Sequence, residues 1–230
     1  MSVWALLVAA GTGERLGGNG IDGERPKAFV RLGELPLLAE PLRRLDESGW
    51  IDAIVVAGPA GWEEPAILLA EELAATKVVA AVTGGATRAE SVRAALAEVP
   101  EDALVVIVHD AARPLVSEAV LERVLAPLLT PLAEGWDGVV PGLPLTDTVK
   151  SVDGDRVTGT ESREKLVAVQ TPQAFLAPML RKAYAGDLAG ATDCSSLVEA
   201  CGGRVKVVEG DPRLLKVTTR ADLEQVAAWL

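Results

Sequence analysis

Short runs of Val, Ile, Leu and Ala recur along the chain at 3–8, 53–57, 78–82, 104–108, 138–140 and 205–208. Between them, at 37–47, 63–74, 88–98 and 118–129, apolar residues fall three and four apart. A continuous apolar run of strand length suits a strand buried on both faces. Parallel strands are buried in this way because the helices that connect them cover the sheet. The alternation therefore predicts an α/β chain with a mainly parallel central sheet flanked by helices. Near the end, Thr219-Arg220-Ala221-Asp222 has capping-box spacing with Asp in place of the usual Glu or Gln. A last packed helix is expected from there towards Leu230.

The rhythm breaks from Pro141 to about Gln170, where the helix pattern is lost. Residues 146–152 and 156–160 read as two strands around a turn at Asp153-Gly154-Asp155, which predicts a projecting β-hairpin. Long excursions without a covering helix are commonly functional or exchanged with another subunit. The expected organisation is one domain over 1–230 with an arm at about 141–170. A second irregular stretch, 17–23, is rich in glycine and reads as a lid that a ligand would order.

Composition narrows the function. The chain has 22 Lys and Arg against 33 Asp and Glu, a net charge of −11, so a basic surface for nucleic acid is not expected. With 49% hydrophobic residues it can bury a sizeable core. It lacks an apolar run of about 18 residues and the basic start of a signal peptide, so a soluble, cytoplasmic protein without membrane contact is expected. Cys194 and Cys201 have neither a disulfide framework nor metal-ligand spacing, and free thiols are expected. His109 is the single histidine, which rules out a multi-histidine metal site and leaves the chemistry to carboxylates, Lys or Arg.

The first apolar run leads directly into Ala9-Ala10-Gly11-Thr12-Gly13-Glu14-Arg15. Glycines there let backbone N–H groups close around an anion, and Arg15 adds a fixed charge, so phosphate is the natural guest. The spacing is neither G-x-G-x-x-G, since Leu16 stands at the third glycine, nor a Walker A loop, since no Gly-Lys-Ser/Thr follows. This weakens both the dinucleotide-redox and P-loop readings. Lys27 follows the rigid Pro26 and could reach the same phosphates as a point charge. Gly84-Gly85-Ala86-Thr87-Arg88-Ala89-Glu90-Ser91 again follows a strand and opens a helix, offering a backbone pocket and Ser91 to a base. Asp110, in His109-Asp110-Ala111-Ala112-Arg113-Pro114, lies at the carboxyl end of a central strand and is a candidate for metal or ribose. The bland reading of His109, a core or hydrogen-bonding residue, is preferred to catalysis.

In this order the motifs resemble the 2-C-methyl-D-erythritol 4-phosphate cytidylyltransferase family over nearly the whole chain. The likeness continues through Asp147-Thr148-Val149-Lys150, Thr171-Pro172-Gln173, Thr192-Asp193 and Lys216-Val217-Thr218. The resemblance implies a Rossmann-like nucleotidyltransferase fold and transfer of cytidylyl from CTP to 2-C-methyl-D-erythritol 4-phosphate, giving 4-diphosphocytidyl-2-C-methyl-D-erythritol and pyrophosphate. It implies nucleotide contacts from Ala9, Ala10, Gly11, Gly13, Arg15, Lys27, Gly85, Ser91, Asp110 and Ala111. Substrate contacts are implied for Asp110, Arg113, Thr148, Arg163, Thr171, Thr192 and Lys216. Arg15, Lys27 and Lys216 would be the catalytic cations, and Asp110 would hold Mg²⁺ or another divalent cation. A homodimer with exchanged hairpin arms is also implied, in which Thr148 and Arg163 complete the partner's pocket. Three positions depart from the usual family residues: Ala28 for Gln, Cys194 for Glu and Leu214 for Asn.

The reaction expected of such a site is in-line attack by a substrate phosphate oxygen on the α-phosphorus of CTP. The nucleophile is already ionised at neutral pH, so positioning and charge neutralisation suffice without a strong base. A ribitol 5-phosphate or other polyol-phosphate cytidylyltransferase is the nearest rival. A non-catalytic nucleotide-binding module would not need all of Arg15, Lys27 and Lys216.

Overall fold

The computed structural model describes residues 2–11, 13, 25–130 and 135–230. The expected lid at 17–23 and Arg15 lie outside them. Strands β1 (Val3–Val8), β4 (Ala53–Gly58), β5 (Val78–Thr83) and β6 (Val105–Asp110) alternate with helices α1 (Ala39–Glu47), α2 (Glu63–Glu72) and α3 (Arg88–Leu96). A small hairpin, β2 (Arg31–Leu32) and β3 (Leu35–Pro36), precedes α1. After β6 come α4 (Glu118–Leu129), β7 (Gly138–Pro144) and the separate hairpin β8 (Lys150–Asp153) and β9 (Arg156–Thr160). The chain then runs through β10 (Val167–Val169), β11 (Gln173–Leu176), α5 (Ala177–Tyr184), α6 (Cys194–Ala200), β12 (Val205–Glu209) and α7 (Arg220–Ala227).

The central sheet has the order β10-β7-β11-β6-β1-β4-β5, with β12 paired in parallel to β7. β1 pairs in parallel with both β4 and β6, whereas β11 runs antiparallel to β6 and β7. The sheet is thus mainly parallel, as the apolar runs predict. Alternate residues of each strand divide between two cores. Leu7, Ile54, Val56, Val105 and Ile107 pack with Leu42 and Leu45 of α1, Leu69 of α2, and Leu121 and Leu125 of α4. Leu6, Val55, Val106 and Val108 face the other way, onto Val92 of α3, Leu180 of α5 and Val198 of α6. Every residue of β4 and β6 is buried, so both faces are covered.

Some boundaries and exposures differ from the sequence expectation. β5 and β12 are partly exposed, with Val79 55% and Val207 49% exposed, because each pairs with one strand only. The run at 138–140 extends to Pro144, and residues 167–169 return to the same sheet as β10. The ends of the expected arm at 141–170 therefore belong to the sheet. Only the part between them, with β8 and β9 as its own two-stranded sheet, stands apart. The first hairpin strand begins at Lys150, not at residue 146.

Candidate active site

β1 connects onward to β4 on one side, and β6 returns on the other, so the sheet reverses its winding at β1 and β6. Their last residues, Val8 and Asp110, are paired in register. Open α/β sheets leave a crevice at such a reversal, beyond the carboxyl ends of the strands. A cleft of about 350 Å³ lies there. Its charged lining residues are Lys27, Arg88, Asp110 and Lys216.

Close packing shapes the loops around it. Gly13 has φ +73°, and a Cβ at this position would lie 2.6 Å from Lys27 Cβ. A Cβ on Gly84 would lie 2.3 Å from Ala10 Cβ, so the loops after β1 and β5 meet where only glycine fits. Lys27 begins a 3-10 turn, Lys27–Phe29, whose Ala28 and Phe29 are buried. Phe29 packs against Trp62 at 4.5 Å between ring centroids, which anchors the turn and leaves Lys27 at the cleft. Ala28 also lines the cleft.

Asp110 is the carboxylate among these residues, and two cations hold it. Its Oδ1 accepts from Arg88 Nε at 2.8 Å and its Oδ2 from Lys216 Nζ at 2.7 Å. Burial alone would raise its pKa, but the charges of Arg88 and Lys216 outweigh burial and keep it well below the usual carboxylate range. Lys216 reaches this point because its flanks are pinned. Leu214 and Val217 are fully buried, and Val217 N–H donates to Ala112 C=O at 2.8 Å.

His109 is buried with both ring nitrogens bonded. Asp110 N–H donates to Thr171 Oγ1 at 3.1 Å, so the Thr171 hydroxyl proton is available for His109 Nδ1, also at 3.1 Å. Nε2 then carries the ring proton and donates to Arg113 C=O at 2.9 Å. Burial lowers the pKa of this imidazole to about 4, so it is neutral at physiological pH. Its place is structural: it fixes the turn that follows β6.

The sequence-expected residues within the described chain fall into two sets. Ala9, Ala10, Gly11, Lys27, Gly85, Ser91, Asp110, Ala111 and Lys216 line the cleft, and Gly13 packs beside Lys27. The Ser91 hydroxyl accepts from Gly85 N–H at 3.1 Å and donates to Thr87 C=O at 2.9 Å, so it braces the 84–87 loop. Arg113, Thr148, Arg163, Thr171 and Thr192 do not line the cleft of this chain. Arg113 instead donates from Nη1 to Leu214 C=O at 2.5 Å. This bond uses the backbone of residue 214, so the Leu in place of Asn does not remove it. Thr171 acts through His109, Thr192 is exposed just before α6, and Thr148 and Arg163 lie by the hairpin, where Arg163 donates to Thr146 C=O.

Sequence reasoning missed Arg88 as a site residue, although its motif was read. The signal available was a cation at the first position of a helix whose Thr87 and Glu90 form a complete capping box. Among the described residues no group of three or more His, Cys, Asp or Glu could hold a metal. Asp110 still fits Mg²⁺ in one way. A carboxylate has about four lone-pair sites, of which Arg88 and Lys216 use two. Mg²⁺ commonly takes one or two carboxylates and fills its shell with water and phosphate oxygens.

A family model described as IspD, 2-C-methyl-D-erythritol 4-phosphate cytidylyltransferase, matches residues 3–230. A protein of that name from Nocardia farcinica is 48% identical over 223 residues, covering 96% of this chain and 91% of the relative. The crystal structure of the Thermus thermophilus protein of that name is 32% identical, with a TM-score of 0.76 over 100% of this chain and 98% of the other. That of the Francisella tularensis protein gives a TM-score of 0.82 at 27% identity, covering 100% of both chains.

Proposed function

The chain belongs to the 2-C-methyl-D-erythritol 4-phosphate cytidylyltransferase family, and from that premise we propose how its cleft carries the reaction. The enzyme transfers the cytidylyl group of CTP to 2-C-methyl-D-erythritol 4-phosphate. The products are 4-diphosphocytidyl-2-C-methyl-D-erythritol and pyrophosphate, in the non-mevalonate route to isoprenoids.

One observation carries the assignment of roles: in a chain of net charge −11, the described charged lining of the cleft is three cations and one carboxylate. Such a balance suits two anionic substrates that must be brought together. Ala9, Ala10, Gly11 and Gly13 offer backbone and space to the triphosphate, with Lys27 as its point charge and Arg15 as a second. The Gly85 and Ser91 side takes the cytosine. Lys216 and Asp110 serve the substrate phosphate side, and Arg113, Thr171 and Thr192, which stand outside the cleft lining, would meet the substrate at its margin.

In the reaction, a phosphate oxygen of the substrate forms a bond to the α-phosphorus of CTP while the bond from that phosphorus to the pyrophosphate oxygen breaks. The electron pair leaves with pyrophosphate, and no proton needs to move. Lys27 and Lys216 neutralise charge on the phosphates and hold the two reactants in line. Asp110 is the residue that would hold Mg²⁺ or another divalent cation, which when bound supplies further neutralisation of phosphate charge.

The proposal extends to a single domain over 1–230 that acts as a homodimer with exchanged arms. Exposed Val152 and Val157 on the hairpin, and Val167 and Val207 on the adjoining sheet, support it. So does the absence of Thr148 and Arg163 from the lining of their own cleft. A cytoplasmic location is part of the same reading, and no described helix is long and apolar enough to cross a membrane. The test is pyrophosphate release from CTP and Mg²⁺ with a panel of polyol phosphates. Preference for 2-C-methyl-D-erythritol 4-phosphate is expected, and preference for ribitol 5-phosphate would overturn the substrate assignment.

A further inference from the structure

Asp110 is shared by two cations of different character. Lys216 has a side chain 40% exposed, on an irregular segment, and carries its charge on a flexible stem. Arg88 is 24% exposed and stands at the first position of α3, where Thr87 Oγ1 accepts from Glu90 N–H at 3.1 Å and Glu90 Oε2 accepts from Thr87 N–H at 3.0 Å. The helix start is thereby fixed, and with it the base of the arginine.

The guanidinium is fixed at its far end too. Nη1 donates to Cys194 Sγ at 3.4 Å, and the same sulfur accepts from the Tyr184 hydroxyl at 3.1 Å. Burial pushes both the Cys194 thiol and the Tyr184 phenol up, so neither ionises to compete for the guanidinium. With a neutral sulfur at position 194, Asp110 is the carboxylate that Arg88 meets, and Arg88 Nη2 has no partner among the described residues. The arginine is thus held by Cys194 and aimed at Asp110 through Nε alone.

A phosphate arriving in the cleft competes with Asp110 for Lys216, whose half-exposed ammonium sits on a flexible stem. Arg88, partly buried and fixed at both ends, is far less able to turn. We propose that Arg88 is a positioning residue for the reaction: it keeps the Asp110 carboxylate in place while Lys216 leaves it for the substrate phosphate. This inference rests on the reading of Asp110 and Lys216 as substrate-side residues.

The experiment is a double-mutant cycle in the full-length enzyme with Arg88→Gln, Asp110→Asn and the pair. It reads kcat and KM for both substrates by pyrophosphate release, CTP affinity by calorimetry and melting temperature. Arg88→Gln is expected to lower kcat/KM for the polyol phosphate about tenfold, with CTP affinity nearly kept. The pair should be no slower than Asp110→Asn alone to within about twofold, because an effect that acts through Asp110 disappears with it. Losses that multiply, or a fall in melting temperature with KM unmoved, would overturn the positioning role. If Arg88→Gln does not fold, Arg88→Lys, which keeps the charge and loses the fork, completes the same cycle. Wild-type activity in Asp110→Asn would overturn the substrate-side reading of Asp110 and the inference with it. A slow Asp110→Asn with multiplying losses would overturn the inference alone.

Discussion

Lys216 Nζ lies 2.7 Å from Asp110 Oδ2 across a separation of 106 residues. The contact draws the segment before α7 onto the end of β6 and brings a cation to the crevice where the sheet reverses. The Lys216 side chain is 40% exposed, and Arg88 still holds the buried Asp110 when the lysine is removed, so loss of this pair should cost little stability. Lys216→Ala should therefore keep a nearly unchanged melting temperature. Its kcat should fall by about 10²–10³, the usual cost of one preorganised donor to developing charge. A variant that retains half of wild-type turnover would remove Lys216 from the reaction.

Gly13 gives a second handle on the same charge balance. Alanine there would be strained at φ +73° and would press on Lys27 Cβ, at 2.6 Å. Gly13→Ala should therefore imitate part of Lys27→Ala: both should lower kcat more than they weaken CTP binding measured by calorimetry. Normal kinetics in Gly13→Ala would show that Lys27 is not held by this contact.

The acid limb of stability should belong to His109. The imidazole is neutral in the fold, with a pKa lowered to about 4 from 6.5, so between those values the unfolded chain binds the extra proton. Stability then rises with pH through this window, is complete above it, and is lost as pH falls towards 4. At pH 5 the loss is about 2 kcal/mol, or roughly 5 °C in melting temperature. Asp110 acts in the same direction at lower pH: its pKa is depressed in the fold, so its contribution holds above the ordinary carboxylate pKa and is lost as pH falls below it. As His109 is the single histidine, His109→Gln should flatten the melting profile between pH 5 and 7. A slope that survives the substitution would assign it elsewhere.

The proposed arm exchange makes a complementation test possible. Arg163→Ala and Lys216→Ala protomers should each be nearly inactive, and subunit exchange between them should restore one intact site per mixed dimer. Exchange without recovery would show that Arg163 does not serve the partner's cleft.

The strands that carry the site were legible because β1, β4 and β6 are continuous apolar runs, buried on both faces. β11 was not, since its four residues begin with Gln173 and form an antiparallel insertion between parallel strands, which the alternation does not announce. α5 was hidden by the proline in its first turn, a residue that reads as a loop unless the helix start is known. At the site, Lys27, Asp110 and Lys216 could be named from motifs. The bond from Arg88 Nε to Asp110 could not, because it depends on how the start of α3 meets the end of β6, and that meeting is set by packing rather than spacing.

Asp110→Asn, with turnover across a Mg²⁺ titration and thermal unfolding measured on the same preparation, tests most directly whether this carboxylate organises the transfer. The substitution keeps shape and removes charge. It should leave a folded enzyme that turns over slowly and demands more Mg²⁺. A lowered melting temperature with an unchanged metal requirement would contradict this and make Asp110 a structural carboxylate of the turn after β6.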